Sequence, residues 1–486
     1  MTPTTVTITP LELPEIRTNV GKFLDRLDLV QCLYVCKAWH ASFLPLVWST
    51  VSILRSKGRY PGVEAFTSHS HLIRNLAYDF WPWRAYESIH CRNVSTLHVH
   101  HDWHGSPVIG QHDQLRKLSL EGGRWCGRTG IYPCWKPTNS LPKLSSLALK
   151  KVKIDLDSTE KFWNLCTGLE SLSIPLTNIA RFPDKSMSFE RIEKLVLFPR
   201  SGHSFEQWLA FITQCPNLIS LNWVRGRDGS PASTDIFAAH LAKGTWPKLC
   251  EISLSSFSSS DSQLSQIVNG MQQIKSLDVA GCTFGTLSLT ALRPHFSILR
   301  QLKLESAVFE TGLSIIPEVL ASCPQLEILI AGGVTSEDIL QGPPWVCERT
   351  LKTLHVGIII SPGEDMDHQQ RLVLERISRL CHLEGFGLLD DSPDQAETRI
   401  NLHLGKGLEY LVTLKKLCYL HLYGSSNYMT KADVEWMLDN LKSLSSVRGP
   451  VKFGDEDWSF VEVAKARNIQ CFFWSTGEET QRTITT

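Results

Sequence analysis

The run His98, Val99, His100, His101, Asp102, Trp103, His104 gathers four imidazoles within seven residues, a concentration that invites metal chemistry. In an extended segment His98 and His100 share one face while His101 takes the other. No cysteine or carboxylate pattern completes the tetrahedral set that zinc requires. Cys32, Cys36 and His40 form a second candidate, spaced to lie on one face of a helix. The chain carries no C-x-x-C, no H-E-x-x-H, no nucleophile elbow and no glycine pattern for a nucleotide phosphate. These residues predict no metal, no cofactor and no catalytic residue belonging to the chain itself.

The composition narrows the partners. Lys plus Arg and Asp plus Glu each total 49 in 486 residues, so the chain offers no global field to nucleic acid or to an anionic membrane. The opening MTPTTVTITP lacks the basic and then apolar order of a secretory signal. The longest apolar runs, such as VGIII at 356–360, are far shorter than the roughly 20 residues of a membrane span. The 14 cysteines are dispersed and embedded in apolar runs, as in FITQC ending at Cys215. They read as reduced, buried thiols of a cytoplasmic or nuclear protein. In that setting the glycan signal Asn93-Val94-Ser95 has no use, and Val94 belongs to a predicted buried strand.

A repeat decides the architecture. The pattern L-x-x-L-x-L recurs 14 times, from IRNLAY at Ile73 and VSTLHV at Val94 to LEGFGL at Leu383 and LCYLHL at Leu417. The mean step is about 26 residues, within the roughly 20 to 29 of leucine-rich repeats. Each copy alternates apolar with polar or small residues, the period of a strand with one buried face. Between copies lie helical signals such as FEQWLAFITQC before Leu218 and IIPEVLASC before Leu326, each ended by a proline that stops the helix. The reading is one strand plus one helix per repeat, stacked because no unit buries its leucines alone. The span of about 73–474 resembles the helix-backed branch of the leucine-rich-repeat family. The Asn or Cys that this family places after the third leucine is clearly met only by Cys282.

Upstream of 73 the period turns helical. Ile16, Val20, Phe23 and Leu24 predict one apolar stripe; Leu29, Cys32, Leu33, Cys36 and Trp39 predict a second; Phe43, Leu44, Val47 and Trp48 form a short third piece around Pro45. The order LPEI, then Asp28-Leu29, then V-C-K-x-W ending at Trp39, then a closing Trp48 resembles an F-box, with the glutamate one residue early. That pattern wants small apolar residues at Cys32 and Cys36, which makes them packing residues. A bundle this small buries too little to stand alone. The resemblance implies a fold of class α/β: a short N-terminal three-helix F-box followed by a leucine-rich-repeat solenoid, the right-handed α/β horseshoe. The expected organisation is a flexible 1–10, an F-box at 11–54, the solenoid at 55–444, a C-terminal cap at 445–474 and a disordered tail at 475–486.

The same resemblance implies a function. The chain is expected to be the substrate-recognition subunit of a Skp-cullin-F-box ubiquitin ligase, itself no enzyme. Leu13, Pro14, Ile16, Leu29, Val35, Cys36 and Trp39 are carried over as contacts of a Skp-type adaptor, and through it of a cullin and a RING subunit. A protein client, marked for proteasomal degradation, is expected on the inner face of the strands. There the register presents His98, His100, Phe198, Tyr419, His421 and Tyr423. The insertions at 79–88 and 122–140 are read either as recognition loops or as packing plugs. The alternative function is a leucine-rich-repeat scaffold outside ubiquitin ligases. Neither reading calls for nucleic acid or a membrane.

Overall fold

The computed structural model describes residues 10–54, 60–100, 112–122, 124–125, 141–198, 203–224, 231–255, 257–305, 308–309, 315–361, 363, 365–389, 400, 402–422, 430–450, 464, 467 and 469–474. The chain forms two compact units, Met1–Leu218 and Ile219–Thr486.

The first unit begins with three helices, α1 (Pro14–Gly21), α2 (Arg26–Cys32) and α3 (Lys37–Ser49). The chain leaves α3 directly into β1 (Thr50–Ile53), which pairs in parallel with β2 (Asn75–Asp79). Then follow β3 (Thr96–His100), β4 (Lys117–Glu121), β5 (Ser146–Lys150), β6 (Ser171–Pro175) and β7 (Lys194–Phe198), each parallel to the one before. One buried row runs through the register as Val51, Leu76, Leu97, Leu118, Leu147, Leu172 and Leu195, all at 2% exposure or less. Burying each leucine stabilises the stack by roughly 1.5–3 kcal/mol.

The second unit repeats the plan with β8 (Ser220–Trp223), β9 (Glu251–Ser253), β10 (Ser276–Asp278), β11 (Gln301–Leu304), β12 (Ile328–Thr335), β13 (Thr353–Ile359), β14 (Gly385–Leu388), β15 (Tyr419–Leu422), β16 (Ser446–Pro450) and β17 (Gln470–Trp474). Neighbours pair in parallel in that order. All 14 sequence repeats therefore supply a strand, and the fold is α/β, built of leucine-rich repeats. Among the described residues no helix is long and apolar enough to cross a membrane.

The helices between strands are set by local chemistry. Ser204 with Gln207, and Ser260 with Gln263, close reciprocal capping boxes at Phe205–Thr213 and Asp261–Asn269. Asp261 reaches into the next repeat, where its carboxylate accepts from the amides of Gly285, Leu287 and Ser288 at 2.8, 2.9 and 3.0 Å. Adjacent repeats are thus stapled through a helix start. At the place of the family's Asn or Cys, Cys282 Sγ lies 3.9 Å from the Leu254 carbonyl. In its own repeat Thr177 stands at the same position, donating from Oγ1 to the Leu149 carbonyl at 2.7 Å. The hydroxyl performs the bridging that the sequence pattern had credited to Cys282 alone.

Three expectations are corrected. The rule of one helix per repeat fails at 176–193, where no helix forms. Pro183 and a polar run prevent one, and Phe182 and Phe189 fill the space against Trp163 and Phe211. The sheet also starts earlier than Ile73, because TVSI at β1 is a strand without the leucine pattern. Third, Cys36 and Trp39 do not continue the second helix. α2 stops at Cys32, Cys36 precedes α3, and Pro45 is held inside α3.

Candidate functional site

The helical head is assembled around few side chains. Leu29, Phe43 and Val47 form its core, with Leu24, Val30, Leu33, Trp39 and Leu46 packed on them. α1 crosses α3 at Gly21, where an added Cβ would stand 2.4 Å from Leu46 Cδ1 and 2.8 Å from Phe43 Cε1. Arg17 is buried at 6% exposure, with Nε donating to Ser42 Oγ at 2.9 Å and Nη1 to the carbonyls of Leu11 and Glu12 at 3.0 Å. This guanidinium fixes the segment before α1 against α3. Asp25 caps α2, accepting from the Asp28 amide at 2.8 Å. The head is joined to the repeats: Trp48 stacks on His69 at 4.6 Å, and the Arg74 amide donates to the Ser49 carbonyl at 3.0 Å.

A core of this size leaves large apolar groups outside. Leu11, Leu13, Ile16, Val20, Phe23, Leu27, Tyr34 and Val35 are all exposed, Phe23 at 89%, Tyr34 at 81% and Leu27 at 77%. Large apolar side chains concentrated in this way mark an interaction surface. Of the residues expected to contact an adaptor, Leu13, Pro14, Ile16, Val35 and Cys36 are exposed and Trp39 is half-buried. Leu29 lies inside the core at 8% exposure, so it supports the surface from behind. Ile16, Val20 and Phe23, three residues of the stripe expected here, are exposed. The buried side of α1 is instead Arg17 and Gly21, an arginine and a glycine that hydrophobic periodicity does not register. Phe23, Leu27 and Tyr34 are therefore surface residues that sequence reasoning did not assign.

The inner face of the strands follows the register. On β3, Thr96, His98 and His100 alternate with buried Leu97 and Val99. His100 Nδ1 lies 3.4 Å from Glu121 Oε2, and Lys150 Nζ lies 2.8 Å from Glu121 Oε1, a row across three strands. The Lys150 bond holds the Glu121 carboxyl below its ordinary range. Phe198 ends β7, half-buried. In the second unit Tyr419 is 48% exposed, and His421 faces His355 across Gly387 with ring centroids 5.3 Å apart. Burial, then His421 and Lys303, push the His355 imidazole down to about 4. Burial, then Arg448, lowers His421. The pairing of His355 with His421 was not legible in the sequence, because it depends on Gly387 in the strand between them. Tyr423 lies outside the described residues.

The insertion at 79–88 contributes Trp83 and Tyr86 to the core, where both pack on Phe66. Most of the insertion at 122–140, and 101–104 of the histidine run, lie outside the described residues. Among the described residues no group of three or more His, Cys, Asp or Glu could hold a metal ion. Of the 11 cysteines whose side chains are described, seven are buried, and desolvation pushes the Cys91, Cys323 and Cys347 thiols up to about 12. Such thiols are inert toward metals and oxidants.

No protein-family model and no curated protein sequence matches the chain. Three solved structures show what it is similar to. The yeast Rad7 and Elc1 complex has a TM-score of 0.39 at 15% identity, covering 97% of this chain and 92% of that one. The TLR13-ssRNA13 complex has a TM-score of 0.36 at 14% identity, covering 83% and 68%. An internalin of Listeria monocytogenes has a TM-score of 0.32 at 14% identity, covering 79% and 87%. At such values the fold assignment rests on the chain's own strand register and leucine rows.

Proposed function

We propose that the chain is the substrate receptor of a Skp-cullin-F-box ubiquitin ligase, with the head, residues 11–54, docking the Skp-type adaptor and the repeats holding a protein client. The observation that carries this reading is the exposed apolar surface of the head, from Leu11 to Val35, mounted on three helices whose chain runs directly into β1. A helical cap serving only to close the repeats would have no reason to present Phe23, Leu27 and Tyr34 to water. The F-box-like order of Leu13, Pro14, Asp28, Leu29, Val35, Cys36 and Trp39 falls on this same surface and its supports. The chain makes no bond itself: ubiquitin transfer is accelerated by holding client and conjugating machinery together. His98, His100, Phe198, Tyr419 and His421 are the proposed client contacts, and the cytoplasm or nucleus the proposed place of action.

The test is a pull-down of the full chain by a purified Skp-type adaptor, comparing the wild type with the Leu13→Ala, Pro14→Ala double variant. The double variant is expected to lose at least tenfold in affinity, the scale of a central interface anchor. Undiminished binding refutes the contact assignment. Recovery of adaptor without cullin or RING subunit would instead favour a scaffold outside ubiquitin ligases.

A further inference from the structure

Beneath the head, within the first unit of this electrically balanced chain, lies an open cleft of about 1640 Å3. Arg17, Lys22, Arg74, Arg92 and Arg116 line it, together with His71 and His90, against a single carboxylate, Asp113. Arg17 is turned inward by its bonds to Ser42, Leu11 and Glu12. Lys22 donates to Asn19 Oδ1 at 3.1 Å. Arg74, Arg92 and Arg116 are exposed, and none has a side-chain hydrogen bond or ion pair with a described residue.

Position in the repeat makes this informative. Arg74 and Arg116 each sit just before a strand, where their carbonyls accept from the amides of Thr96 and Ser146 at 3.0 Å. In the second unit the same position carries Arg300, Glu327 and Lys352. There Glu327 answers both cations, at 3.7 and 2.6 Å. In the first unit Glu170, again at this position, meets Arg191 at 3.2 Å. At Glu170 and Glu327, then, charge is compensated by a cation of the neighbouring repeat. At Arg74 and Arg116 the neighbour between them supplies Ser95, and the charge stays open toward the cleft.

We infer that this cleft docks an acidic, carboxylate-bearing segment of a protein partner, an inference that does not depend on the adaptor reading. The two arginines stand two strands apart, roughly 10 Å, which an extended peptide spans with carboxylates three residues apart. Small side chains at Ala38, Ala41, Ser42 and Ser95 leave room for a peptide backbone. Nucleic acid fits less well. No Phe, Tyr or Trp lines the cleft to stack a base, and three open arginines are few beside the phosphate contacts that nucleic-acid binding uses.

The experiment is fluorescence anisotropy of a labelled oligoglutamate peptide with the full chain. Binding is expected to weaken steeply with added salt. The Arg74→Glu, Arg92→Glu, Arg116→Glu variant should lose at least tenfold in affinity, while Arg300→Glu in the second unit stays within twofold of the wild type. Circular dichroism checks that each variant is folded. If the triple variant does not fold, Arg92→Glu alone, which alters no residue flanking a strand, should still lose severalfold. Unchanged binding in the reversed variants overturns the inference, as does an equal loss in Arg300→Glu. It is also overturned if a single-stranded oligonucleotide of equal charge displaces the peptide more strongly than unlabelled peptide does.

Discussion

His355 and His421 face each other at 5.3 Å across Gly387, whose missing side chain is what lets the rings approach. A Cβ at Gly387 would stand 2.6 Å from His355 Cδ2. Lys303 and Arg448 add positive charge around the pair, and burial removes water, so both imidazoles are held neutral.

The pH dependence follows in sign. Both folded-state pKa values are depressed, and His355 falls to about 4. Above the ordinary histidine value of roughly 6.5 the pair has no pH effect. As the pH falls from there toward 4, the unfolded chain binds protons that the folded one does not, and stability is lost. Urea unfolding of the second unit's transition at neutral pH and at pH 5 should show a loss on the order of 1 kcal/mol from His355, smaller in His355→Gln. An equal loss in the variant would contradict this.

Gly21 sets the crossing of α1 and α3. Replacing it by valine forces a branched side chain against Leu46 and Phe43, and such overpacking costs about 1–3 kcal/mol. Gly21→Val is expected to abolish adaptor binding while far-ultraviolet circular dichroism retains the signal of the repeats. Full adaptor affinity in this variant would show that the crossing does not shape the docking surface.

Asp261 joins two repeats through one carboxylate. Desolvation alone would raise its pKa, but bonds from Ser288 and from the amides of Leu287 and Gly285 outweigh it and hold the carboxyl below its ordinary range. Its stabilisation is present above the ordinary carboxylate value of roughly 4 and is lost as the pH falls through the lower folded value. Asp261→Ala should cost about 1–3 kcal/mol at neutral pH in denaturant unfolding. It should also flatten the acid limb of stability. A variant with unchanged midpoint would remove the staple from the account.

The repeats were legible because burial imposes period two on every strand. Leu76 through Leu195, and Leu221 through Leu420, could be placed from spacing alone. β1 was not, since Val51 and Ile53 carry the alternation without the leucines. In the head the apolar stripe was legible but not the direction it faces. Ile16, Val20 and Phe23 recur at helical spacing whichever way the helix faces, and only tertiary contacts reveal that Arg17 and Gly21 point inward. The open arginines of the cleft were invisible for a related reason. Arg74 and Arg116 are distant in sequence, and only the ladder of repeats brings them to one edge.

The central claim, that the head is the docking element, is tested most directly by amide hydrogen exchange of the full chain with and without a purified Skp-type adaptor. The account predicts a stable complex in which exchange slows across residues 11–35 and stays unchanged in β3 to β7. Absence of a complex, or protection confined to the strands with residues 11–35 unaffected, would contradict it.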